Sequence, residues 1–283
     1  MSEAPATVAD VLASAVDRLR ITSPTARLDA ELLTAGSLER PRSFLVSHAG
    51  EALSPETCER IAQAVERRTR GEPVAYILGT REFWSLDLEV NPHVLIPRPE
   101  TERLVEFALE VLPRDSHGKV LDLGTGSGAV ALAIAHDRPA VRVIATDISP
   151  EAIVVACRNA ERLELSNVKF LVGDGYDPVG AMHFDLIVSN PPYIAANDPA
   201  LASPELRAEP RDALVPGPTG LETIERIVAR AREHLRPDGW LALEHGAEQG
   251  KAVSALLSRA DFSTIRSLKD LAGHDRVTVG KAQ

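Results

Sequence analysis

Apolar residues recur every three or four positions at Val8, Leu12, Val16 and Leu19 with acids between them, the spacing of an amphipathic helix. Helical patterns continue to about residue 80, broken at Ser23-Pro24, Arg40-Pro41, Ser54-Pro55 and Gly71-Glu72-Pro73, with no convincing period-two strand. A small bundle of four or five helices is therefore predicted over residues 1–80. Segments 82–90 (EFWSLDLEV) and 93–96 (HVLI) alternate and carry β-branched or aromatic residues around Asn91-Pro92, so a β-hairpin linker is expected over 81–97. From Lys119 the pattern changes to short apolar runs alternating with amphipathic stretches: KVLDL, AVALAIAHD, VRVIATD, SPEAIVVACRNAERL, VKFLVGD and FDLIVSN. This alternation predicts an α/β domain over 98–283, a parallel sheet with helices on both faces. Ser149 as N-cap and Pro150 at the first helical position mark a helix over 149–162. LETIERIVARAREHL, GWLALEHG and AEQGKAVSALLSRA continue the alternation, and strands are expected near 263–268 and 275–280.

The chain has 283 residues, 44% hydrophobic and 25% charged, enough apolar material for ordinary cores in two domains. Its net charge of −10 opposes a role spent on nucleic acid, since such binding needs Lys and Arg to neutralise phosphates. The first 86 residues agree, with 10 basic and 12 acidic side chains, so no direct nucleic-acid partner is expected. Cys58 and Cys157 are far apart in helical segments, poor material for a disulfide framework and natural in a reducing cytoplasm. Cys157 falls in the apolar register of its helix and reads as a packing residue. The opening segment lacks the basic start and apolar block of a signal peptide, and no window is apolar enough to span a membrane. A cytoplasmic monomer without a membrane partner is the expectation.

The loop Asp122-Leu-Gly124-Thr125-Gly126-Ser127-Gly128 lies between a predicted strand and a predicted helix, where glycines let the backbone pass close to a ligand. Asp147 closes the next strand, placed to accept hydrogen bonds from two ribose hydroxyls. Together they describe a nucleoside site. Gly126-Ser-Gly128-Ala-Val-Ala131 also satisfies a relaxed dinucleotide fingerprint, so a NAD-dependent oxidoreductase or a noncatalytic nucleoside-binding module stays open.

The strand FDLIVS then runs into Asn190-Pro191-Pro192-Tyr193. Asn-Pro alone is a plain turn, but two prolines at a strand end fix φ twice and remove two donors, leaving a rigid corner that presents carbonyls. An NH2 group conjugated to a carbonyl or ring is a poor nucleophile because its lone pair is delocalised. The Asn190 side-chain oxygen and the Pro191 carbonyl can each accept one N–H, aiming that lone pair at a sulfonium methyl, while Tyr193 packs on the planar group. Adenine N6, cytosine N4 and a glutamine amide all fit, so methylation of DNA or RNA bases is also open. Glu244-His245 ends a strand at the same edge and can shape the pocket; His245 reads as a structural hydrogen-bonding residue, with no partner spacing for a metal.

Over nearly its whole length the chain resembles the release-factor glutamine methyltransferases, the HemK family. The resemblance is carried by GEPVAYILG (71–79), EFWSL (82–86), LIPRPETE (95–102), the loop DLGTGSG, SNPPYI (189–194), EPRDAL (209–214) and KDLAGHDRV (269–277). It implies a Rossmann-like, seven-stranded class I methyltransferase domain and an N-terminal helical domain that helps dock the substrate protein. It further implies S-adenosyl-L-methionine as cofactor, S-adenosyl-L-homocysteine as product, and the glutamine of a Gly-Gly-Gln motif in class I peptide chain release factors as target. Family roles carry over to Gly124 through Gly128 and Asp147 for the cofactor, and to Asn190, Pro191, Pro192 and Tyr193 for the glutamine amide, with Asn190 also near the cofactor. Arg98, Glu100 and Thr101 match a segment near the cofactor pocket. Where relatives carry an aromatic residue after the third strand, this chain has Asp174-Gly175-Tyr176, and Asp174 is assigned to the adenine amino group.

Overall fold

The computed structural model describes residues 5–283 and divides the chain into two compact units. One comprises the chain up to Thr80 together with Ala202–Ala208; the other holds 81–201 and 209–283.

The first unit is helical: α1 (Val8–Leu19), α2 (Ala26–Leu38), α3 (Arg42–Ser47), α4 (Pro55–Thr69) and α5 (Val74–Leu78), with α9 (Pro204–Ala208) added from the later segment. Two of these helices, α1 and α4, begin where a side chain serves orphan amides. Thr7 and Asp10 form a reciprocal capping box, with the Asp10 amide 3.2 Å from Thr7 Oγ1 and the Thr7 amide 3.0 Å from Asp10 Oδ2. Ser54 caps α4 ahead of Pro55. Val8, Leu12, Leu19, Leu33, Ile61 and Val65 meet in its core. Inside this unit Arg68, almost wholly buried, donates from Nε to Asp29 Oδ2 at 2.7 Å and from Nη2 to Glu205 Oε1 at 2.5 Å.

A two-stranded sheet follows, β1 (Thr80–Phe83) and β2 (Leu86–Glu89). The hairpin turns at Trp84-Ser85, not at Asn91-Pro92 as the alternation suggested, and 93–96 is not a strand. Both turn residues have positive φ, 52° and 59°, the backbone that suits a two-residue hairpin and that asparagine or glycine usually advertises. Here tertiary contacts impose it: the Trp84 amide donates to Glu102 Oε1 at 3.1 Å and its indole Nε1 to Asp137 Oδ2 at 2.9 Å. Asn91 instead makes a local turn, its Oδ1 accepting the His93 amide at 3.0 Å.

The second unit alternates α6 (Glu102–Val111), β3 (Lys119–Leu123), α7 (Ala129–Asp137), β4 (Arg142–Asp147), α8 (Pro150–Arg162), β5 (Val168–Val172), β6 (Phe184–Ser189), α10 (Glu222–His234), β7 (Leu235–Glu244), α11 (Gly250–Arg259), β8 (Ser263–Lys269) and β9 (Asp275–Lys281). Ser149 caps α8, accepting the Ala152 amide at 3.1 Å. The strands form one seven-stranded sheet in the order β5-β4-β3-β6-β7-β9-β8, parallel from β5 to β7, with β9 antiparallel to both β7 and β8. Both faces are covered, which is why β6 reads as a nearly unbroken apolar run. Val120, Val143, Leu186 and Val188 pack to one side with α6 and α7; Leu121, Leu123, Ile187 and Leu243 pack to the other with α10 and α11.

The chain leaves β3 toward β4 and β5, then returns to the opposite side of β3 with β6. That reversal opens a crevice at the carboxyl ends of β3 and β6, the place where open α/β sheets bind ligands. Among the described residues, no helix is long and apolar enough to cross a membrane.

Candidate active site

Strand register aligns the site before any side chain is considered. Leu123 pairs with Thr146 on one side and Ser189 on the other, and Ser189 pairs with Leu243. The next residue of each strand therefore stands in one row: Asp147, Gly124, Asn190 and Glu244. Four strand ends drawn from 120 positions of chain, Gly124 to Glu244, become neighbours through parallel pairing alone.

The loop after β3 is held from inside. Thr125 Oγ1 donates to the buried Asp122 carboxylate at 2.6 Å, and the amides of Gly124 and Thr125 both donate to the Thr146 carbonyl. Burial pushes the Asp122 carboxyl up to about 7 against the Thr125 and Ala131 hydrogen bonds, with the Asp147 charge adding to the rise. Two glycines have distinct reasons. Gly126, at φ +56°, has open space where a side chain would start, so a ligand can approach its backbone. Gly128, at φ +85°, would place a Cβ 2.9 Å from the Leu132 side chain, so it is there for close packing of loop against helix. Ser127 is buried, and its carbonyl accepts Asn159 Nδ2 at 2.9 Å. Asp147 accepts the Gly126 amide at 2.8 Å and the Ser149 amide at 3.0 Å, one on each oxygen, while burial raises its carboxyl. Each oxygen keeps a second lone pair for a hydroxyl.

At the end of β6, Ser189 donates to the Leu123 carbonyl at 2.7 Å, fastening the corner to β3. Asn190 is half-buried and donates from Nδ2 to Thr101 Oγ1 at 3.1 Å. Pro191 is buried and Pro192 half-buried. Tyr193 directs its hydroxyl to Glu244 Oε1 at 3.4 Å, and its carbonyl accepts Gln249 Nε2 at 3.1 Å. Burial pushes the Tyr193 phenol above its ordinary range, so it stays protonated. Glu244 is almost wholly buried; burial drives its carboxyl up to about 7, opposed by the Thr101 hydroxyl, the Arg276 charge and the Tyr193 hydroxyl, and assisted by Glu100.

The other quoted segments also find physical roles. Arg98 pairs with the buried Glu209, so LIPRPETE meets EPRDAL, and the Ile194 amide bonds the Leu214 carbonyl at 2.9 Å, so SNPPYI meets EPRDAL as well. In KDLAGHDRV, Asp270 accepts the Ala272 and His274 amides and pairs with Arg276, which closes the β8–β9 turn. Asp174 is exposed beyond β5 with Oδ2 3.4 Å from Arg226. Tyr176 is buried, stacked on His234 at 4.4 Å with its hydroxyl on the Ile227 carbonyl, and so belongs to the core. His245 is buried between the Gly246 carbonyl and Thr278 Oγ1, at 2.9 and 2.8 Å. Cys157 is half-buried, its thiol raised by burial.

The hold of Gln249 on the corner was not visible in the sequence, because a glutamine opening a helix carries no motif. The family resemblance places Thr101 beside the pocket, but its contact with Asn190, 89 positions away, leaves no trace in the sequence.

A glycine-lined loop, an acid ending the neighbouring strand and an Asn-Pro-Pro-Tyr corner share one edge of a seven-stranded sheet, and this fold and edge together define the class as a methyltransferase. Residues 104–217 match the Methyltransferase small domain model, and residues 10–79 match the PrmC N-terminal domain model. The chain is 47% identical to the release factor glutamine methyltransferase of Xylella fastidiosa strain Temecula1, covering 96% of both chains. It is 50% identical to that of Pseudomonas aeruginosa, covering 92% of this chain and 94% of the relative. The chain belongs to the release factor glutamine methyltransferase family. A solved methyltransferase from Pyrococcus furiosus shares the fold, with TM-score 0.51 and 23% identity over 69% of this chain and 88% of that one.

Proposed function

We propose that this chain methylates the N5 side-chain amide nitrogen of the glutamine in the Gly-Gly-Gln motif of class I peptide chain release factors, using S-adenosyl-L-methionine and leaving S-adenosyl-L-homocysteine, as a monomer in the cytoplasm. Family membership supports the reaction. The observation that carries the site assignment is the row of strand ends, which sets Asp147 and Gly124 beside Asn190 on one edge.

The residues fit such a cofactor. The open approach to Gly126 suits close passage of a ligand, and Asp147 offers one lone pair per oxygen to a ribose diol. Gly124, Thr125, Gly126, Ser127 and Gly128 form the cradle, and Asp174 reaches the adenine amino group by sharing its carboxylate with Arg226. When bound, the cofactor supplies a methyl group on a positively charged sulfur.

Asn190 Oδ1 and the Pro191 carbonyl each accept one N–H of the glutamine amide, which directs the nitrogen lone pair out of conjugation. Pro192 keeps the corner stiff, and Tyr193 covers the planar group. Fixed acceptors of this kind lower a barrier by positioning and by meeting charge where it develops. The nitrogen gains positive character as the methyl arrives, which the two acceptor oxygens stabilise, and it then releases its proton to water. The helical unit docks the release factor.

The test is purified chain incubated with purified release factor and methyl donor, followed by mass spectrometry of the Gly-Gly-Gln peptide, with oligonucleotides in parallel. One methyl group on that glutamine is expected. An unmodified release factor beside methylated oligonucleotides would overturn the assignment in favour of a base methyltransferase.

A further inference from the structure

We infer that Gln249 is a positioning residue for methyl transfer, acting through the Tyr193 carbonyl. The inference rests on the proposed role of the Asn-Pro-Pro-Tyr corner as the grip on the substrate amide, and it concerns what keeps that corner still. Proline fixes φ but leaves ψ free, and neither Pro191 nor Pro192 has an amide hydrogen with which to fasten itself. The corner must therefore be held at its two ends. Ser189 fastens the upstream end, donating to the Leu123 carbonyl at 2.7 Å. At the downstream end the peptide joining Tyr193 to Ile194 is tied on both sides: its N–H reaches the Leu214 carbonyl at 2.9 Å, and its carbonyl accepts Gln249 Nε2 at 3.1 Å.

The Gln249 carboxamide has one orientation, because all three of its partners are main-chain groups with a single possible role each. The Gly246 amide can only donate, and it reaches Oε1 at 2.8 Å. The Tyr193 and Gly220 carbonyls can only accept, and they take the two hydrogens of Nε2 at 3.1 and 3.3 Å. From its half-buried place at the start of α11, Gln249 thus joins three chain segments: the turn after β7, the corner after β6 and the loop before α10. Gly220 closes this clamp. A Cβ there would stand 2.5 Å from the Tyr193 carbonyl oxygen, 2.9 Å from Gln249 Nε2 and 3.1 Å from the Ala195 amide nitrogen, so only glycine lets the loop come this close. A donor on one side and bare backbone on the other leave the Tyr193 carbonyl one direction. With Ser189 fixed upstream, that direction sets the aim of the Pro191 carbonyl and of the Tyr193 ring between the two anchors.

Gln249→Met keeps the length of the side chain and removes both hydrogen-bonding ends. Gln249→Glu keeps the acceptor for the Gly246 amide but, ionised at about pH 8, turns lone pairs toward the two carbonyls. Gly220→Ala pushes on the same Tyr193 carbonyl from another element. The test measures kcat and KM for purified release factor in these variants and in the Gln249→Met/Gly220→Ala double variant, with S-adenosyl-L-homocysteine calorimetry and melting temperature as checks on folding. Expected are kcat losses of about 30-fold for Gln249→Met and for Gly220→Ala and at least as large a loss for Gln249→Glu, with KM for release factor and the affinity and stoichiometry of cofactor binding kept. Both positions act through one carbonyl, so the double variant should lose about 100-fold at most, well short of the roughly 900-fold to which independent losses multiply. Retention of kcat within about twofold in Gln249→Met overturns the inference. So does recovered activity in Gln249→Glu, which would place the role of Gln249 at the Gly246 turn, and so do multiplying losses in the double variant. Should Gly220→Ala fail to fold, the Met and Glu pair decides the matter alone. A wild-type enzyme that leaves release factor unmodified instead overturns the proposed function, so the two failures are distinct.

Discussion

Asp29 in the helical unit and Glu244 in the α/β unit are both buried acids, yet their surroundings are opposite. Asp29 accepts from Arg68 Nε, from Ser23 Oγ and from Thr25 Oγ1 within 2.9 Å, a saturated carboxylate facing a full guanidinium charge. Glu244 has one long bond from Tyr193, the Thr101 hydroxyl and a partnerless Oε2, with burial raising it to about 7. A saturated buried ion pair holds backbone segments in place, because removing either partner strands a charge. An under-satisfied acid is costly to keep, and in this molecule it lies at the strand ends where the chemistry is proposed.

Arg68→Met gives the sharpest way to break that comparison. It leaves Asp29 buried without its counter-charge, and a loss of about 3 kcal/mol in unfolding free energy by urea titration is expected. Unaltered stability would mean that Asp29 is held by Ser23 and Thr25 alone. Asn190→Ala should act in the other sense, with transfer reduced at least about 100-fold, near 2.7 kcal/mol in the barrier, and S-adenosyl-L-homocysteine affinity by calorimetry little changed. Gly126→Ala should cost about 1–2 kcal/mol from its left-handed backbone, and titration of the variant with cofactor should show weaker binding.

The smallest expected effect is in pH dependence. Asp122 and Glu244, each raised to about 7, bind a proton more tightly in the folded chain than in the unfolded one. The folded state is therefore the more protonated between about pH 4, the ordinary carboxyl range, and about pH 7, so stability falls as pH rises through that window. Unfolding titrations at several pH values should show this decline, and Glu244→Gln should flatten it.

The legible parts were those in which cause and effect lie within one helical turn or one strand. Ser149-Pro150 announced its helix because the capping hydroxyl and the orphan amide are three residues apart. The glycine loop was readable for the same reason. The hairpin turn was not, since Trp84 and Ser85 have no intrinsic preference for positive φ and are placed there by Glu102 and Asp137. Arg98 and Glu209, 111 positions apart, carry no periodic signal for their pairing, although the segments containing them were singled out by resemblance.

The order of apolar runs and turn residues by itself determined that a helical stretch precedes an alternating α/β stretch, and that Gly124, Asp147 and Asn190 each end a strand. What the tertiary structure decided is that these ends form one row with Glu244, and that Thr101 meets Asn190 from 89 positions away. Periodicity is a local property of the chain, whereas strand register and the direction of a hydrogen bond between distant side chains exist only once the sheet has been assembled.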